Sequence, residues 1–362
     1  MSDAKRIRQL AEELAERYPA TETLELNISD TPHILRSNQR ELLDELEVYF
    51  RHFATSKDGR PIEVTAIECP EPDWGFEYRD WPREGGKTGR KDAFCDLEDG
   101  RVLYKVRTGM RFLLNPEVHV ALGPCRANSN RVINFVNALF MNRLLAQDWT
   151  LCHAAGVVHK GRGLAIAGIS GAGKSTLALH LIGRGLSFTS NDRLLVRQGE
   201  SGASMSGVPK MPRINPGTAL NNPHLSPILS DERKQALADM PKSELWELEE
   251  KYDADIGELF GPSQIEMHAP LDVFFILSWK HDAKEEPAIR QVDIAERDDL
   301  LAAVMKSPGP FHLPADGGRP LQPMPPDKDE YIRNLAGVRI FELSGRVDFD
   351  WACEEALTRL EG

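Results

Sequence analysis

The chain is short of the features that mark a secreted, membrane-bound or nucleic-acid-binding protein. It has five cysteines, Cys69, Cys95, Cys125, Cys152 and Cys353, odd in number, scattered and without a C-x-x-C pair. That excludes a disulfide framework or a zinc site as the expectation and points to reduced thiols in a cytoplasmic protein. No apolar run approaches the ~18–20 residues of a membrane span. The opening MSDAKRIRQLAEELAERY reads as a charged amphipathic helix without the apolar core of a leader, so no membrane partner is expected. Positive charge is scarce too: 44 Lys and Arg against 56 Asp and Glu give a net charge of −12. A nucleic-acid backbone is therefore not an expected partner. Internal repeats and low-complexity tracts are absent.

What is present is a globular composition, 41% apolar, over 362 residues, long enough for two domains. Helical spacing runs over 1–18 and 38–53, where Leu42, Leu43, Leu46 and Tyr49 share a face. IEVTAIE at 62–68 alternates as a strand, 70–91 reads as a long loop, and Asp99-Gly100 between alternating runs predicts a hairpin turn. RVINFVNALFMNRLLAQ at 131–147 predicts a largely buried helix, and its end sets the domain boundary: 1–148, then 149–362. The second part predicts two strands joined at Lys160–Gly163 and a helix over 174–185 with Leu177, Leu181 and Ile182 inward. A strand, polar break and strand follow over 186–197. The irregular stretch 207–224, a strand covered on both faces at 271–280, a Pro/Gly-rich loop at 313–328, a strand at 338–345 and a closing helix at 350–361 complete it.

The densest chemical signal is AIAGISGAGKST at 165–176. It satisfies G-x-x-x-x-G-K-[ST] with Gly168, Gly173, Lys174 and Ser175, after an apolar strand and before an amphipathic helix. Glycines let backbone N–H groups approach an oligophosphate closely, because no side chain stands in the way. The helix N-terminus adds partial positive charge. Lys174 is the expected partner of the β- and γ-phosphates and the Ser175 hydroxyl an expected ligand of Mg²⁺. The bland alternative is a glycine turn with no ligand. A second GKT, Gly86-Lys87-Thr88, has Trp81 at the place of the first glycine and no strand before it, and reads as a basic loop.

The neighbouring residues resemble a known family. HAAGVV, then the phosphate loop, then HLIGRGLSFTSNDRLLV is similar to the C-terminal catalytic domain of HPr kinase/phosphorylase, in its divergent, HPr-kinase-related bacterial form. The resemblance runs strongly over about 150–197, faintly to the C-terminus, and does not cover 1–145. It implies an α/β P-loop kinase domain of the HPr-kinase/PEP-carboxykinase-like type with a mixed sheet. Before it stands a smaller α+β N-terminal domain for docking or substrate recognition. It assigns Gly168, Ser170, Gly171, Ala172, Gly173, Lys174, Ser175 and Thr176 to the phosphate loop. It places His153 near the reaction centre, the alternative being a histidine packed under the loop. Arg184-Gly185 matches the helix end, where a left-handed C′ glycine explains Gly185 by itself. Asn191-Asp192 matches an acidic pair whose first member is here an amide. That leaves Asp192 the carboxylate role and a share of the metal, with a simple polar turn as the alternative. Arg213, near Lys210, stands for a downstream arginine. No glutamate precedes it by two residues, which leaves open whether the resemblance extends to phosphorolysis.

Independently of the resemblance, Lys210 and Arg213 lie between prolines in an acidic chain, which suits an anion clamp, completed by Asn191; a solvated loop is the alternative. The expectation is ATP-dependent, Mg²⁺-dependent transfer of a γ-phosphoryl group to a hydroxyl. The acceptor is a protein serine or, as the alternative, a small molecule. Asp192, Lys174, His153 and Arg213 carry the chemistry. The rival is a nucleotide-responsive binding module without turnover. Homo-oligomers occur in the resembled family, but the sequence identifies no interface.

Overall fold

The structure, a computed structural model, describes residues 6–362 except 55–58, 84–88, 170, 242–243, 246–247, 249, 281 and 315–316. Two sequence expectations, Ser170 of the phosphate loop and Gly86-Lys87-Thr88, thus lie outside the described residues. The chain forms two units: Met1–Gln147 with Ser307–Pro325, and Asp148–Lys306 with Pro326–Gly362. The Pro/Gly-rich stretch assigned from sequence to the second domain therefore belongs largely to the first unit. Composition marks that stretch as irregular but carries no information on which core it packs against.

The first unit is built on a mixed sheet of eight strands: β1 (Glu22–Ile28), β2 (Thr31–Ser37), β3 (Ile62–Glu68), β4 (Arg79–Asp80), β5 (Asp92–Leu97), β6 (Gly100–Lys105), β7 (Met110–Leu114) and β8 (His119–Gly123). Their order is β1-β2-β3-β8-β7-β6-β5-β4, with β2, β3 and β8 parallel. The helix Ile7–Arg17 buries Ile7, Leu10 and Leu14 in a core with Ile67, Val102, Leu113, Val120 and Leu122. The helix Ser129–Leu145 is buried along much of its length, as its composition predicts. Its Phe135 meets Phe112, and Phe311 from the returning segment meets both rings at centroid distances of 5.0 and 5.2 Å. One turn lies outside the sequence reading and one is displaced from it. β1 and β2 are joined at Ser29 and Asp30, both at positive φ, so no glycine marks that hairpin. In the expected hairpin the turn residues are Glu98 and Asp99, because Leu97 pairs with Gly100. Gly100 serves packing instead: a Cβ there would lie 2.4 Å from the Leu114 carbonyl oxygen.

The second unit contains β9 (Thr150–Cys152), β10 (Ala154–His159), β11 (Arg162–Gly168), β12 (Ser187–Ser190), β13 (Leu194–Gly199) and β14 (Gly202–Gly207). After them come the short β15 (Arg213–Ile214) and β16 (Tyr252–Asp253), then β17 (His268–Leu277), β18 (Ala288–Gln291) and β19 (Arg339–Ser344). The main sheet runs β12-β10-β11-β17-β14-β13-β9. β17 is its axis: it is parallel to β11 and, on its other side, antiparallel to β14 at its start and parallel to β19 further along. Phe274, Phe275, Ile276 and Leu277 are all buried, as the unbroken apolar run requires of a strand covered on both faces. The helix Lys174–Gly183 packs Leu177, Leu181 and Ile182 inward. It ends in paired bonds from Gly185 N to Ile182 O and from Leu186 N to Leu181 O, with Gly185 at φ +94°. That is a left-handed glycine stop and accounts for Gly185 without a ligand. Among the described residues no helix is long and apolar enough to cross a membrane.

Candidate functional site

β11 delivers Gly168 to the start of the glycine loop, and the helix Lys174–Gly183 leaves it. The loop is held from outside by two aromatic side chains. The Trp279 indole donates a 2.7 Å hydrogen bond to the Ala172 carbonyl. Phe349 lies edge-on to Trp279 and stacks on His180. Gly173 has φ +85°, and a Cβ there would lie 2.8 Å from Phe349 Cζ, so both dihedral and space demand glycine. Gly168 sits against β17, where a Cβ would meet Leu277 Cβ at 2.8 Å. The Lys174 ammonium folds back to donate to the Gly168 carbonyl at 3.3 Å. Burial lowers its pKa from the ordinary lysine value, opposed by the charge of Asp192 and reinforced by that of Lys306.

A cleft of about 260 Å³ opens beside this loop. It is lined by Lys174 and Ser175, by Ser190, Asn191, Asp192 and Arg193, and by Val208, Lys210, Met211, Arg213 and Lys251. Lys174, Ser175, Asn191, Asp192, Lys210 and Arg213, which sequence reasoning singled out from three separate stretches, thus face one space. Gly168, Gly171, Ala172 and Gly173 shape the loop without lining the cleft, and Thr176 turns to Thr218, hydroxyl to hydroxyl at 3.0 Å.

Two breaks in the strands make the site. Between β12, which pairs with β10, and β13, which pairs with β14 and β9, the chain turns at 191–193. The Ser190 hydroxyl closes that turn by donating to the Arg193 carbonyl. Between β9 and β10 it breaks at His153. Because Cys152 pairs with Leu194 and Gly156 with Ser190, the two breaks face each other. His153 Nε2 lies 3.0 Å from Asp192 Oδ1. The other carboxylate oxygen, Oδ2, accepts a 3.1 Å hydrogen bond from Lys306 Nζ. Burial by itself would raise the Asp192 pKa. The hydrogen bond from His153 and the charge of Lys306 outweigh it and hold the carboxyl well below the ordinary range. Asp192 is nonetheless 53% exposed and open to the cleft.

The clamp residues differ from each other. Lys210 is pushed down to about 8 by burial, with the charge of Arg193 acting in the same direction. Arg213 is paired across β15 and β16 with Asp253, Nε to Oδ1 at 3.1 Å, and more than half exposed. Arg184 bonds to Asp350 and Glu354 of the closing helix Phe349–Glu361, a packing role. Sequence reasoning missed Lys306, Arg193 and Lys251 as cations of the site, and Trp279 and Phe349 as its supports. Arg193 adjoins Asp192 in the polar break and was within reach of that reading; Lys306 stands in no motif.

The cleft is cationic inside an acidic protein. Among the described residues Lys174, Arg193, Lys210, Arg213 and Lys251 line it against the carboxylate Asp192. The arrangement suits a multiply charged anion at a glycine loop and helix N-terminus. The Ser175 hydroxyl and Asp192 carboxylate are hard oxygen donors facing the same space, the donor type that Mg²⁺ takes.

Comparison with known proteins adds a distant structural likeness. No family model matches the chain, and no curated protein matches it. Among solved structures, the Hpr(Ser) kinase/phosphatase from Coxiella burnetii aligns over 58% of this chain and 94% of its own, at 14% identity and a TM-score of 0.29.

Proposed function

We propose that the chain is an ATP-dependent kinase that transfers the γ-phosphoryl group to a hydroxyl, a protein serine before a small molecule. The observation that carries this reading is the convergence, on one cleft, of the loop cation Lys174, the Ser175 hydroxyl and a carboxylate, Asp192, oriented by His153. Phosphoryl transfer passes through a loose transition state, so catalysis is mainly positioning and charge neutralisation. The loop and Lys174 bind the β- and γ-phosphates. Ser175 and Asp192 would hold Mg²⁺, which supplies neutralising charge at the phosphates. Asp192 orients the acceptor hydroxyl. Lys210 and Arg213, with Asn191, form the wall that holds the anion.

A second reading, a nucleotide-responsive module without turnover, is favoured by Asn191 at the first acidic position and by the occupation of both Asp192 oxygens by His153 and Lys306. Incubating the purified full chain with γ-labelled ATP, Mg²⁺ and a lysate of its source cells separates the two. Labelled serine in a protein, or a labelled small molecule, supports the kinase. Tight ATP binding without transfer or hydrolysis supports the module.

A further inference from the structure

Lys306 has a position that its sequence context does not announce. It follows the helix Asp298–Val304 by two residues, and its side chain is only 18% exposed. Its backbone is fixed from two sides. Met305 forms a β-bridge with Cys152, and the His153 amide donates to the Val304 carbonyl at 2.7 Å. The Lys306 amide donates to the Tyr331 hydroxyl at 2.9 Å, and that buried hydroxyl donates to the Leu151 carbonyl at 2.5 Å. One bridge, Cys152 to Met305, therefore presents two consecutive neighbours, His153 and Lys306, to the two oxygens of Asp192. A lysine pinned in this way is not a wandering surface partner, and its ammonium takes the oxygen that His153 leaves.

The geometry points to Lys306 as a built-in competitor of the divalent cation at Asp192. This rests on the reading of Asp192 as a metal ligand. His153 Nε2 holds Oδ1 at 3.0 Å and Lys306 Nζ holds Oδ2 at 3.1 Å, so a metal ion that binds the carboxylate through Oδ2 meets the positive ammonium at close range. Both are cations drawn to the same oxygen, so the presence of one disfavours the other there. Lys306 thereby raises the metal concentration needed to load the site and makes loading depend on what arrives with the metal. A metal ion accompanied by an oligophosphate brings negative charge that can receive the ammonium; a metal ion alone does not. Lys306 is in this sense a positioning residue that acts through Asp192, and it favours joint arrival of metal and nucleotide over metal alone.

The test uses the full chain and Mn²⁺ as probe, with free Mn²⁺ read by electron paramagnetic resonance, in the absence and presence of a non-hydrolysable ATP analogue. Lys306→Met and Lys306→Gln remove the competing charge, Lys306→Arg keeps it, and Lys210→Met removes a cleft cation that does not hold Asp192 Oδ2. Circular dichroism and thermal melting identify the folded variants. Without nucleotide, Lys306→Met or Lys306→Gln should tighten Mn²⁺ binding by about tenfold or more, the effect of one charge in contact at a partly exposed site. Lys306→Arg should stay near the wild type, Lys210→Met should gain far less, and the analogue should narrow the gap between wild type and Lys306→Met. Unchanged or weaker Mn²⁺ binding in both neutral variants overturns the inference. So does an equal gain in Lys210→Met, which reduces the effect to general electrostatics, or full Mn²⁺ binding in Asp192→Ala. Analogue binding, followed separately by fluorescence with Lys174→Ala as control, reports on the nucleotide site itself. Its loss in the wild type would overturn the kinase reading whatever Mn²⁺ does.

Discussion

His153 Nε2 and Asp192 Oδ1 stand 3.0 Å apart, each at a break between two strands of the second unit. The pair exists because β9 and β13 are in register at Cys152 and Leu194, which places the two breaks opposite each other. Replacing His153 by Ala removes the donor that fixes the carboxylate, while Lys306 still neutralises it. Transfer should fall by about 10–100-fold, the lower range for loss of a group that orients a catalytic one. Nucleotide affinity should stay within about threefold, since His153 holds the carboxylate and not the phosphates. Equal losses in affinity and rate would instead make His153 part of the nucleotide wall.

Lys174→Ala should slow turnover severely and weaken triphosphate binding in a protein that still folds. Among the described residues the ammonium's hydrogen bond is to the Gly168 carbonyl, so little of the fold depends on it. Loss of a preorganised charge at the phosphates costs about 10²–10³-fold in rate. Calorimetric titration with ATP and a thermal melt provide the check. A folded variant with wild-type affinity and turnover would remove the phosphate-loop assignment.

Asp192→Asn keeps the shape and loses the charge. Transfer should drop by about 10²–10⁴-fold while ATP binding falls much less. There is also a stability signature. The Asp192 pKa in the folded chain lies below the ordinary value of about 3.9. Its contribution is therefore present at neutral pH and is lost as pH falls below about 4 toward the folded pKa. Wild type should be more stable than Asp192→Asn at pH 7, with the gap closing under acid. A constant gap from pH 7 to pH 3 would show that the charge on Asp192 is not what stabilises it.

Lys210, pushed down to about 8, should make anion binding fall as pH rises through 8 and the ammonium loses its proton. Arg193, Asp192, Arg213 and Asp253 surround it electrostatically. Lys210→Arg, whose guanidinium stays charged, should flatten the alkaline limb. The linkage to folding has the opposite sense. With the folded pKa below the unfolded one, the unfolded chain binds more protons between about 8 and 10.4, so this residue's burden on stability lightens as pH rises there. An alkaline limb that persists in Lys210→Arg would assign it to another group.

Trp279→Phe removes the indole donor to Ala172 and keeps the ring against Phe349. Stability should fall by about 1 kcal/mol, the net value of one hydrogen bond. ATP affinity should fall about 3–10-fold as the loop loses its external brace. Unchanged affinity would show that Phe349 and the glycine geometry hold the loop by themselves.

The glycine loop, its flanking strand and helix, and the polar break at 191–193 were legible because each is local. Glycine spacing, an apolar run and a 3.6-residue period lie within a dozen residues of one another, and the backbone has few ways to satisfy them. The same holds for the helices Ile7–Arg17 and Arg40–Phe50. By contrast, the β1–β2 turn was illegible because Ser29 and Asp30 take left-handed dihedrals without glycine. The turn lies at Glu98-Asp99 because Leu97 pairs with Gly100, a cross-strand register that no local pattern encodes.

The sequence by itself determined which residue types gather at the glycine loop and the polar break and where the chain must turn sharply to present them. Only the tertiary structure decided which of them meet. Lys306 lies 114 residues from Asp192, and Trp279 lies 107 from Ala172. Phe311 and Pro320 leave the second unit's stretch of sequence to pack in the first. Burial of apolar surface is non-directional and leaves such pairings open. Strand register and a single bridge between Cys152 and Met305 fix them, because a slip of one residue would turn both His153 and Lys306 away from the carboxylate.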